Sequence, residues 1–334
     1  MGTNKDLSAA KKAKNDEFYT QLADIENELK HYKKHFKGKT VLCNCDDPLE
    51  SNFVKYFSLN FEHLGLKKLI ATHYKESNLF SQEAPYKLEY TGDKDGDKVP
   101  DPAEFVTELL DDGDFRSAEC ESLLDEADIV VTNPPFSLFR EYVDQLMLFE
   151  KKFLILGNIN AISYKEIFSL VKDNKIWVGH NFNKVLEFVI PDNYKKYYHV
   201  DDGGNKVARV PGICWFTNLS HEKRNENLTL YKKYSPKEYP KYDNYDAIEV
   251  SKVSDIPMDY KGMMGVPITF LGKHNPEQFE IVWQACGNTR ASAPKSVLKE
   301  LGYQQHEEDR GGCGIVKGKR AYVRIVIRNR KPKK

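Results

Sequence analysis

The stretch ADIVVTNPPFSLF, residues 127–139, places four residues whose types suit chemistry on a nucleic-acid base directly after an aliphatic run. The exocyclic amino group of a base is a poor nucleophile, because its lone pair is delocalised into the ring. Hydrogen-bond acceptors for its N–H groups favour a more nucleophilic geometry, and an aromatic ring can stack on a base that has left the helix. Asn133 supplies an amide oxygen, and Pro134 supplies a backbone carbonyl. Pro135 adds rigidity because its ring fixes the backbone, and Phe136 offers the stacking face. Catalysis at such a corner is mainly positioning and electrostatics.

The same corner also has a purely structural explanation. Two consecutive prolines end a strand, and Asn133 would then cap the helix that follows. The aliphatic strand before the corner, the helix after it and the phenylalanine in the fourth place favour the chemical interpretation.

The elements that must position this corner alternate along the chain. Asp47-Pro48-Leu49-Glu50 predicts a helix start with Asp47 as N-cap and Glu50 closing a capping box. Strands are predicted at residues 39–45, 67–74, 127–133, 152–158, 176–179 and 212–219, and amphipathic helices at 16–36 and 136–151. This alternation predicts an α/β fold with a mostly parallel sheet and crossover helices.

Polar residues cluster where the predicted strands end. Residues 44–47, 72–74 and 133–136 each follow a strand, as does Asn158. Because ligands of such sheets bind at the carboxyl ends of the strands, we expect one site to combine these segments.

The charges are unevenly distributed, although the formal net charge is zero. Residues 76–128 hold 17 acidic and 4 basic side chains, whereas residues 310–334 hold 10 basic and no acidic ones. Zero net charge argues against a histone-like binder. The basic block predicts a face that binds polyanions, and a merely solubilising terminus is the alternative.

The bulk properties allow one large domain or two smaller ones in 334 residues. No apolar run is long enough for a membrane span, and the polar N-terminus has no signal-peptide core. The six cysteines are scattered without a CxxC pair, which indicates reduced thiols and a cytoplasmic protein. Residues 93–104 imitate a calcium loop, but Lys98 stands where such loops need glycine, and we expect no metal site.

The Asn133–Phe136 motif looks like the catalytic motif of amino-methyltransferases that use S-adenosylmethionine. The whole chain resembles the EcoRI-type adenine-specific DNA methyltransferases. The segments that carry the resemblance run in order after residue 15: DEFYTQ (16–21), NCDDP to SNF (44–53), LIATHY (69–74), GDFRSAEC (113–120), ADIVVTNPPFS (127–137), FLILGNINAISYKEIF (153–168), GICWFTNL (212–219), GVPITFLGKHNPEQFEI (265–281) and YVRIVIR (322–328). The resemblance implies a Rossmann-like methyltransferase sheet with a C-terminal DNA-recognition elaboration.

The resemblance also implies a cofactor site at the first strand ends. The residues concerned are Asp16, Phe18, Tyr19, Asn44, Asp46, Asp47, Asp114 and Phe115. Asp16, Phe18 and Tyr19 match the family's N-terminal cofactor motif. Asn44, Asp46 and Asp47 follow the first strand, where they offer groups for the donor's ammonium or ribose. Asp114 and Phe115 match a Gly-Asp-Phe motif, in which Asp114 offers a carboxylate for the donor's adenine amine and Phe115 a ring for stacking.

The chain also departs from the methyltransferase pattern. The first loop, CNCDDPLESNF (43–53), lacks the glycine-rich turn that most such enzymes carry. Because a capping box would explain Asp47 fully, Asp46 is the stronger candidate ligand. The second strand ends without an acid, which leaves the ribose contact unassigned, and Asp114 as an ordinary surface acid remains an alternative.

Contacts with DNA are predicted in the C-terminal part of the chain. Phosphate contacts need Lys and Arg, and base readout needs side chains in a groove. The candidates are Arg290, Arg310, Lys317, Lys319, Arg320, Arg324 and Arg328. We therefore predict a disordered N-terminus at 1–15, a catalytic domain at 16–230 and a target-recognition region at 231–334.

The prediction is a site-specific enzyme that transfers a methyl group from S-adenosylmethionine to adenine N6 in double-stranded DNA, with base flipping. No obligate protein partner is evident, which is compatible with a monomer. One alternative is another amino group, such as cytosine N4, an RNA base or a protein glutamine. A second is a catalytically degenerate DNA-binding protein on the same fold. A metal-dependent nuclease is weaker still, because no metal-ligand set follows the strands.

Overall fold

A computed structural model of the chain describes residues 19–74, 84–93, 105–190, 197–287, 289 and 293–333. The chain divides into two compact units. Unit 1 comprises residues 1–159 and 184–219, and unit 2 comprises residues 160–183 and 220–334. The second unit therefore has two segments, the longer of which begins at Ser220, whereas the sequence predicted one boundary near residue 230.

The strands follow the predicted aliphatic runs and add several shorter ones. They are β1 (Tyr19–Thr20), β2 (Thr40–Cys43), β3 (Lys68–Thr72), β4 (Tyr86–Tyr90), β5 (Val106–Glu108), β6 (Ile129–Thr132), β7 (Lys152–Asn158), β8 (Trp177–Val178), β9 (Leu186–Ile190), β10 (His199–Val200), β11 (Lys206–Val210), β12 (Ile213–Thr217), β13 (Ala247–Glu249), β14 (Met263–Pro267), β15 (Phe279–Ala285), β16 (Ile315–Val316), β17 (Lys319–Arg320) and β18 (Arg324–Asn329).

The helices are shorter than the sequence patterns predicted. They are α1 (Leu22–Leu29), α2 (Asn52–Leu59), α3 (Phe61–Leu64), α4 (Ala118–Glu126), α5 (Phe139–Leu148), α6 (Lys165–Lys172) and α7 (Lys295–Glu300). The helix predicted over residues 16–36 is wrong at its start, because Tyr19 and Thr20 pair with β9 instead. The helix predicted over 136–151 begins as a 3-10 turn at Phe136–Leu138. None of the helices in the described parts of the chain has the length and hydrophobicity that crossing a bilayer requires.

The central sheet of unit 1 has the order β5-β4-β3-β2-β6-β7-β12. Its four middle strands, β3, β2, β6 and β7, run parallel. Strands β4 and β12 pair antiparallel with β3 and β7, and β5 pairs antiparallel with β4. The α/β fold class is confirmed, with a mixed sheet of the kind that Rossmann-like methyltransferases have.

Both faces of the parallel strands are buried, which explains their uninterrupted aliphatic sequences. On one face, alternate residues such as Val41 and Val131 join a core with Phe53 and Phe57 of α2. Helices α4 and α5 pack against β2 and β7 respectively. The helices therefore fix the sheet from its faces and leave the carboxyl ends of the strands for other groups.

A small antiparallel sheet completes unit 1 in the order β1-β9-β11-β10. Strands β9 to β11 were not predicted, because their apolar alternation is interrupted by charged residues. The amide nitrogen of Asn52, at the start of α2, donates to the Thr20 carbonyl at 2.9 Å. This bond joins the small sheet to the loop that follows β2.

Unit 2 contains a four-stranded sheet in the order β13-β14-β18-β15. Its core includes Tyr242, Tyr245 and Trp283. Helix α6 packs against β15, and the Gln284 amide donates to the Ser163 hydroxyl at 3.0 Å. A separate hairpin pairs β16 with β17.

A buried polar cluster holds the start of unit 2 around Arg224. The Arg224 guanidinium donates to the His274 carbonyl at 2.8 Å and to Asn174 at 2.6 Å, and it lies 5.0 Å from the centre of the Trp177 ring. Burial, supported by the positive charge of Arg224, lowers the pKa of His274 to about 4. Burial likewise lowers the pKa of His221 to about 4. Both imidazoles are therefore neutral in the folded protein above that pH.

These histidines predict a loss of stability in mild acid. In the unfolded chain they take up protons below about pH 6.5, whereas in the folded protein they stay neutral down to about pH 4. Between these values the unfolded state binds more protons, so stability falls as the pH falls. We expect His274→Asn to reduce the slope of unfolding free energy against pH by about 1.4 kcal/mol per pH unit. Chemical denaturation of the full chain from pH 7 to pH 4.5 measures this slope, and an unchanged slope in the variant would contradict the prediction.

Candidate functional site

The carboxyl ends of the parallel strands are joined by direct hydrogen bonds. The Thr72 hydroxyl at the end of β3 donates to the Asn44 carbonyl at 3.2 Å. The Cys45 N–H donates to the Thr132 hydroxyl at the end of β6 at 3.1 Å. The convergence of strand ends predicted from the sequence is therefore confirmed for these three strands.

Asp46 is the centre of this arrangement, and its side chain is buried. One carboxylate oxygen accepts from the Ser51 hydroxyl at 2.9 Å. The other accepts a short hydrogen bond from the Thr132 hydroxyl and one of 3.3 Å from the Asn133 N–H. Burial raises the pKa of Asp46 to about 6, although these hydrogen bonds oppose the shift. Asp46 thus fixes the backbone at which the Asn-Pro-Pro-Phe corner begins.

The corner itself presents an aromatic ring at the end of β6. Pro134 is buried, whereas Phe136 is 37% exposed. The Pro135 carbonyl accepts from the Leu138 N–H at 3.0 Å, which forms the 3-10 turn before α5. Among the described residues, none donates to the Pro134 carbonyl.

Asp47 closes a turn rather than a helix, so the predicted capping box is wrong. Its Oδ1 atom accepts from the N–H groups of Leu49 and Glu50 at 2.8 and 3.2 Å. Helix α2 begins only at Asn52, five residues after Asp47, with the Ser51 hydroxyl as its cap, accepting from the Phe53 N–H at 3.1 Å. The residues between are in a turn because Pro48 and the Asp47 carboxylate stabilise one there.

The Asp47 carboxylate is also bound by two rings. His73 Nδ1 lies 3.1 Å from Oδ2, and the Tyr86 hydroxyl donates to Oδ2 at 2.8 Å. The two rings stack with their centres 4.8 Å apart. Burial alone would raise the pKa of Asp47, but the hydrogen bonds from His73, Leu49 and Tyr86 outweigh it and lower the pKa to about 2. This carboxylate is ionised at neutral pH.

Tyr142 links Asn44, at the end of β2, to the ring of Phe115. The Tyr142 hydroxyl donates a short hydrogen bond to the side-chain oxygen of Asn44. The Tyr142 ring meets the Phe115 ring edge-on, with the centres 5.0 Å apart. The amide nitrogen of Asn44 is buried and finds no acceptor among the described residues. Such a donor calls for a partner that the described part of the protein does not supply.

Gly113 brings the predicted Gly-Asp-Phe segment against the end of β3. Its φ is +79°, and a Cβ added there would lie 2.2 Å from the His73 carbonyl oxygen. Asp114, next in the chain, accepts from the Arg116 guanidinium at 2.6 and 2.8 Å, which lowers the pKa of its carboxyl group. The segment is therefore locked beside the strand ends, with Phe115 buried and Asp114 partly exposed.

Some predicted site residues lie outside the described residues, namely Asp16, Phe18 and Arg290. Tyr19 lies in β1, where its backbone pairs with Val189. The small sheet that contains Tyr19 is joined to α2 by the Asn52 side chain. The structure thus brings Asn44, Asp46 and Asp47 together with the corner at Asn133.

The predicted DNA contacts in unit 2 centre on the hairpin of β16 and β17. Lys317 and Gly318 form its two-residue turn with φ of 51° and 70°, and the Gly318 N–H donates to Asp243 at 2.8 Å. The exposed basic side chains here are those of Arg310, Lys317, Lys319 and Arg320. Arg320 shares its charge with Glu308, 3.3 Å away.

Arg324 is placed differently from the other predicted DNA contacts. It makes an ion pair with Glu249 at 2.6 and 2.9 Å, and the two side chains are only 14% and 9% exposed. Arg328 is paired with Glu280 at 3.1 Å and with Glu300. These guanidinium groups are used inside unit 2, which argues against a role for Arg324 at the DNA.

Several residues of the site were missed by sequence reasoning. They are Ser51, Tyr86, Arg116, Thr132 and Tyr142. Thr132 directly precedes the recognised corner, and that adjacency was a usable signal. The roles of Tyr86 and Tyr142 depend on tertiary contacts with residues 39 and 98 positions away, so no local pattern could reveal them.

The chain was compared with known proteins. The family model described as "Adenine-specific methyltransferase EcoRI" matches residues 6–330. The Type II methyltransferase M.EcoRI of Escherichia coli is 48% identical over 342 residues, which cover 99% of this chain and 98% of that protein. M.MpnI of Mycoplasma pneumoniae is 43% identical and M.MgeORF184P of Mycoplasma genitalium 41% identical, and each match covers at least 96% of both chains. No solved structure matches the chain significantly.

Proposed function

The chain belongs to the EcoRI family of adenine-specific methyltransferases and is a DNA methyltransferase, and on this premise we propose how its residues perform the reaction. Unit 1 holds S-adenosylmethionine at the ends of β2 and β3. The corner at Asn133 holds an adenine of double-stranded DNA, whose N6 atom receives the methyl group. The exposed basic side chains around the β16–β17 hairpin of unit 2 bind the DNA.

The observation that carries this proposal is the form of the corner. The Pro134 carbonyl accepts no hydrogen bond from the described residues, and the Phe136 ring is exposed next to it. One N6–H of the adenine donates to the Asn133 amide oxygen and the other to the Pro134 carbonyl. Both bonds draw the lone pair of N6 out of conjugation, and Phe136 stacks on the base. The adenine reaches this position after leaving the helix, because stacking in the duplex covers both faces of the base.

Asp46 acts as a positioning residue in this proposal. Both of its oxygens are bound within unit 1, to Ser51, Thr132 and the Asn133 N–H. A donor's ammonium group would have to compete with these bonds. Asp46 therefore holds the corner in place.

The residues present fit a methyl donor that carries amino, carboxylate and ribose groups. The Asn44 amide nitrogen is a buried donor without an acceptor among the described residues. Asp47 is an ionised carboxylate at the same strand end. The Gly113–Phe115 segment lies against β3, where Asp114 accepts hydrogen bonds. Asn44, Asp47, Asp114 and Phe115 would hold the donor, and S-adenosylmethionine supplies a methyl group activated by its sulfonium.

The proposal is tested by the product. DNA from cells that express the chain is digested to nucleosides and weighed, and methylation-sensitive sequencing of the same DNA reports the modified site. We expect N6-methyladenine in one short sequence. Methyl groups on cytosine N4 alone, or none in DNA while S-adenosylmethionine binds, would overturn the proposal.

Neutralising the basic hairpin is expected to weaken DNA binding and its salt dependence. Each phosphate contact contributes about 0.9 to the slope of log affinity against log salt. Lys319→Ala with Arg320→Ala should therefore lower the slope by about 1 to 2, the smaller value applying if Glu308 already neutralises Arg320. Titrations of a labelled duplex at several salt concentrations measure it.

The matched control removes two other exposed lysines of unit 2, with Lys233→Ala and Lys237→Ala. This control variant should keep the wild-type slope of log affinity against log salt. Equal slopes of log affinity against log salt for both double variants would show that the hairpin does not contact the DNA.

A further inference from the structure

Two adjacent tyrosines are exposed on the hairpin that β10 and β11 form in unit 1. Tyr197 is 50% exposed and Tyr198 is 55% exposed, although apolar side chains of neighbouring strands, such as Phe188 and Val207, are buried. We call residues 197–210 the tyrosine hairpin. Because its rings contribute little to the core of unit 1, their exposure calls for another explanation.

The tyrosine hairpin leaves the sheet at the edge that carries the candidate site. From β11 the chain turns at Gly212 into β12, whose first residue, Ile213, pairs with Asn158 at the end of β7. The Ile159 N–H donates to the Gly212 carbonyl at 2.6 Å. Since β7 runs parallel to β6, this junction lies at the same edge as the end of β6, where Asn133 stands.

A cation lies against each exposed ring. The Arg209 guanidinium is 3.8 Å from the centre of the Tyr198 ring, and the Lys206 ammonium is 5.7 Å from that of Tyr197. Arg209 is also paired with Glu187 at 2.9 Å, so part of its charge is neutralised. Aromatic rings that are backed by cations are typical of surfaces on which bases stack.

The turn of the hairpin carries the opposite charge. Asp201 accepts from the N–H groups of Gly203 and Asn205 at 2.9 and 2.8 Å, which builds the turn, and Asp202 stands beside it. These acids keep phosphates away from the tip. Nucleic acid would therefore meet the tyrosine rings rather than the end of the hairpin.

We propose that the tyrosine hairpin is a second DNA-contacting surface, whose Tyr197 and Tyr198 rings stack on bases beside the extruded adenine. The inference rests on the proposed function, because removing a base from the duplex leaves the faces of its neighbours uncovered. Stacking on those faces lowers the cost of extrusion. Unit 1, which holds the extruded adenine, then also covers the neighbouring bases that the extrusion exposes.

The test uses the full chain and a duplex that contains the site found by methylation mapping. We expect Tyr197→Ala with Tyr198→Ala to reduce the single-turnover rate at subsaturating enzyme by about 10-fold or more, as expected when a base–aromatic stack is lost. Tyr197→Phe with Tyr198→Phe should stay near the wild type, because the rings remain. Leu148→Ala is the matched control, since Leu148 is 78% exposed at the end of α5, which leads to the opposite edge of the sheet.

A duplex with a mispaired target adenine distinguishes a role of the two tyrosines in extrusion from a general loss of activity. An adenine opposite a mismatched base costs less to extrude, so the deficit of the alanine double variant should shrink on that duplex. A deficit of the same size on both duplexes would overturn the inference, as would wild-type rates on the paired duplex. A change from dimer to monomer in the variant would also overturn it, because the tyrosines would then face a second copy. In these outcomes wild-type methylation still supports the proposed function, whereas its absence in the wild type refutes that function instead.

Discussion

Replacing Asn133 with alanine is expected to abolish methyl transfer while binding of S-adenosylmethionine largely survives. The variant removes the amide oxygen that accepts from adenine N6, so the nitrogen keeps its lone pair in the ring. Losing one preorganised electrostatic partner at a reacting centre costs about 10²–10³-fold in turnover. The loss should reach at least this range, since positioning and electrostatics carry most of the catalysis. The backbone N–H that bonds to Asp46 is retained, so the strand end should keep its form.

Single-turnover methylation and calorimetry of S-adenosylmethionine measure the two effects separately. Ser137→Ala is the control, because Ser137 is exposed at the same corner and has no role in the proposed chemistry. It should methylate at nearly the wild-type rate. Turnover of the Asn133 variant at the wild-type rate would refute the mechanism, and equal losses in both variants would show that the corner is merely sensitive to any change.

Replacing Gly113 with alanine is expected to displace the Gly-Asp-Phe segment from the end of β3. The positive φ of Gly113 alone costs an alanine about 1–2 kcal/mol. The new Cβ would also lie 2.2 Å from the His73 carbonyl oxygen, which is backbone and cannot rotate away. This overlap adds about 1–3 kcal/mol or displaces the segment. Because Asp114 and Phe115 follow directly, we expect affinity for S-adenosylmethionine to fall by about 10-fold or more.

Gly38 provides a matched control for this variant. Its φ is +70°, but a Cβ added there meets no atom within 4 Å. Gly38→Ala should therefore show the backbone cost without the overlap, and it should bind the donor normally. Chemical denaturation and calorimetry of both variants measure the difference. If the two variants lose the same stability and keep the same affinity, the close approach at His73 has no part in holding the donor.

Much of the fold was predictable because the parallel strands are buried on both faces. Uninterrupted aliphatic runs such as residues 129–132 are characteristic of that environment, and Pro134 and Pro135 mark where that strand ends. The strands β9 to β11 were not predictable in this way. They are short and partly exposed, and the partner of β9, β1, is more than 160 positions earlier in the chain. Their pairing depends on tertiary contacts that leave little trace in local sequence.

The sequence predicted which segments form the site, but not the contacts that the individual side chains make there. The sequence placed Asp46 and Asp47 in the loop after β2, but it did not predict the hydrogen bonds that hold each carboxylate. Asp46 is bound within the protein, whereas Asp47 stabilises a turn and an aromatic pair. Arg324 was counted among the DNA contacts on charge alone. Its pairing with Glu249, 75 positions away, could be seen only in the folded chain.

The division of the chain at residues 160–183 bears on how DNA specificity can change in this family. That segment belongs to unit 2, where α6 packs on β15, yet the chain returns to unit 1 before entering unit 2 again at Ser220. The part proposed to recognise DNA is therefore not a contiguous cassette. A single genetic crossover near residue 219 would join β15 of one parent to α6 of another. Exchanging this unit alone between two such proteins needs three crossovers, near residues 160, 184 and 220, which favours change of specificity through point substitutions.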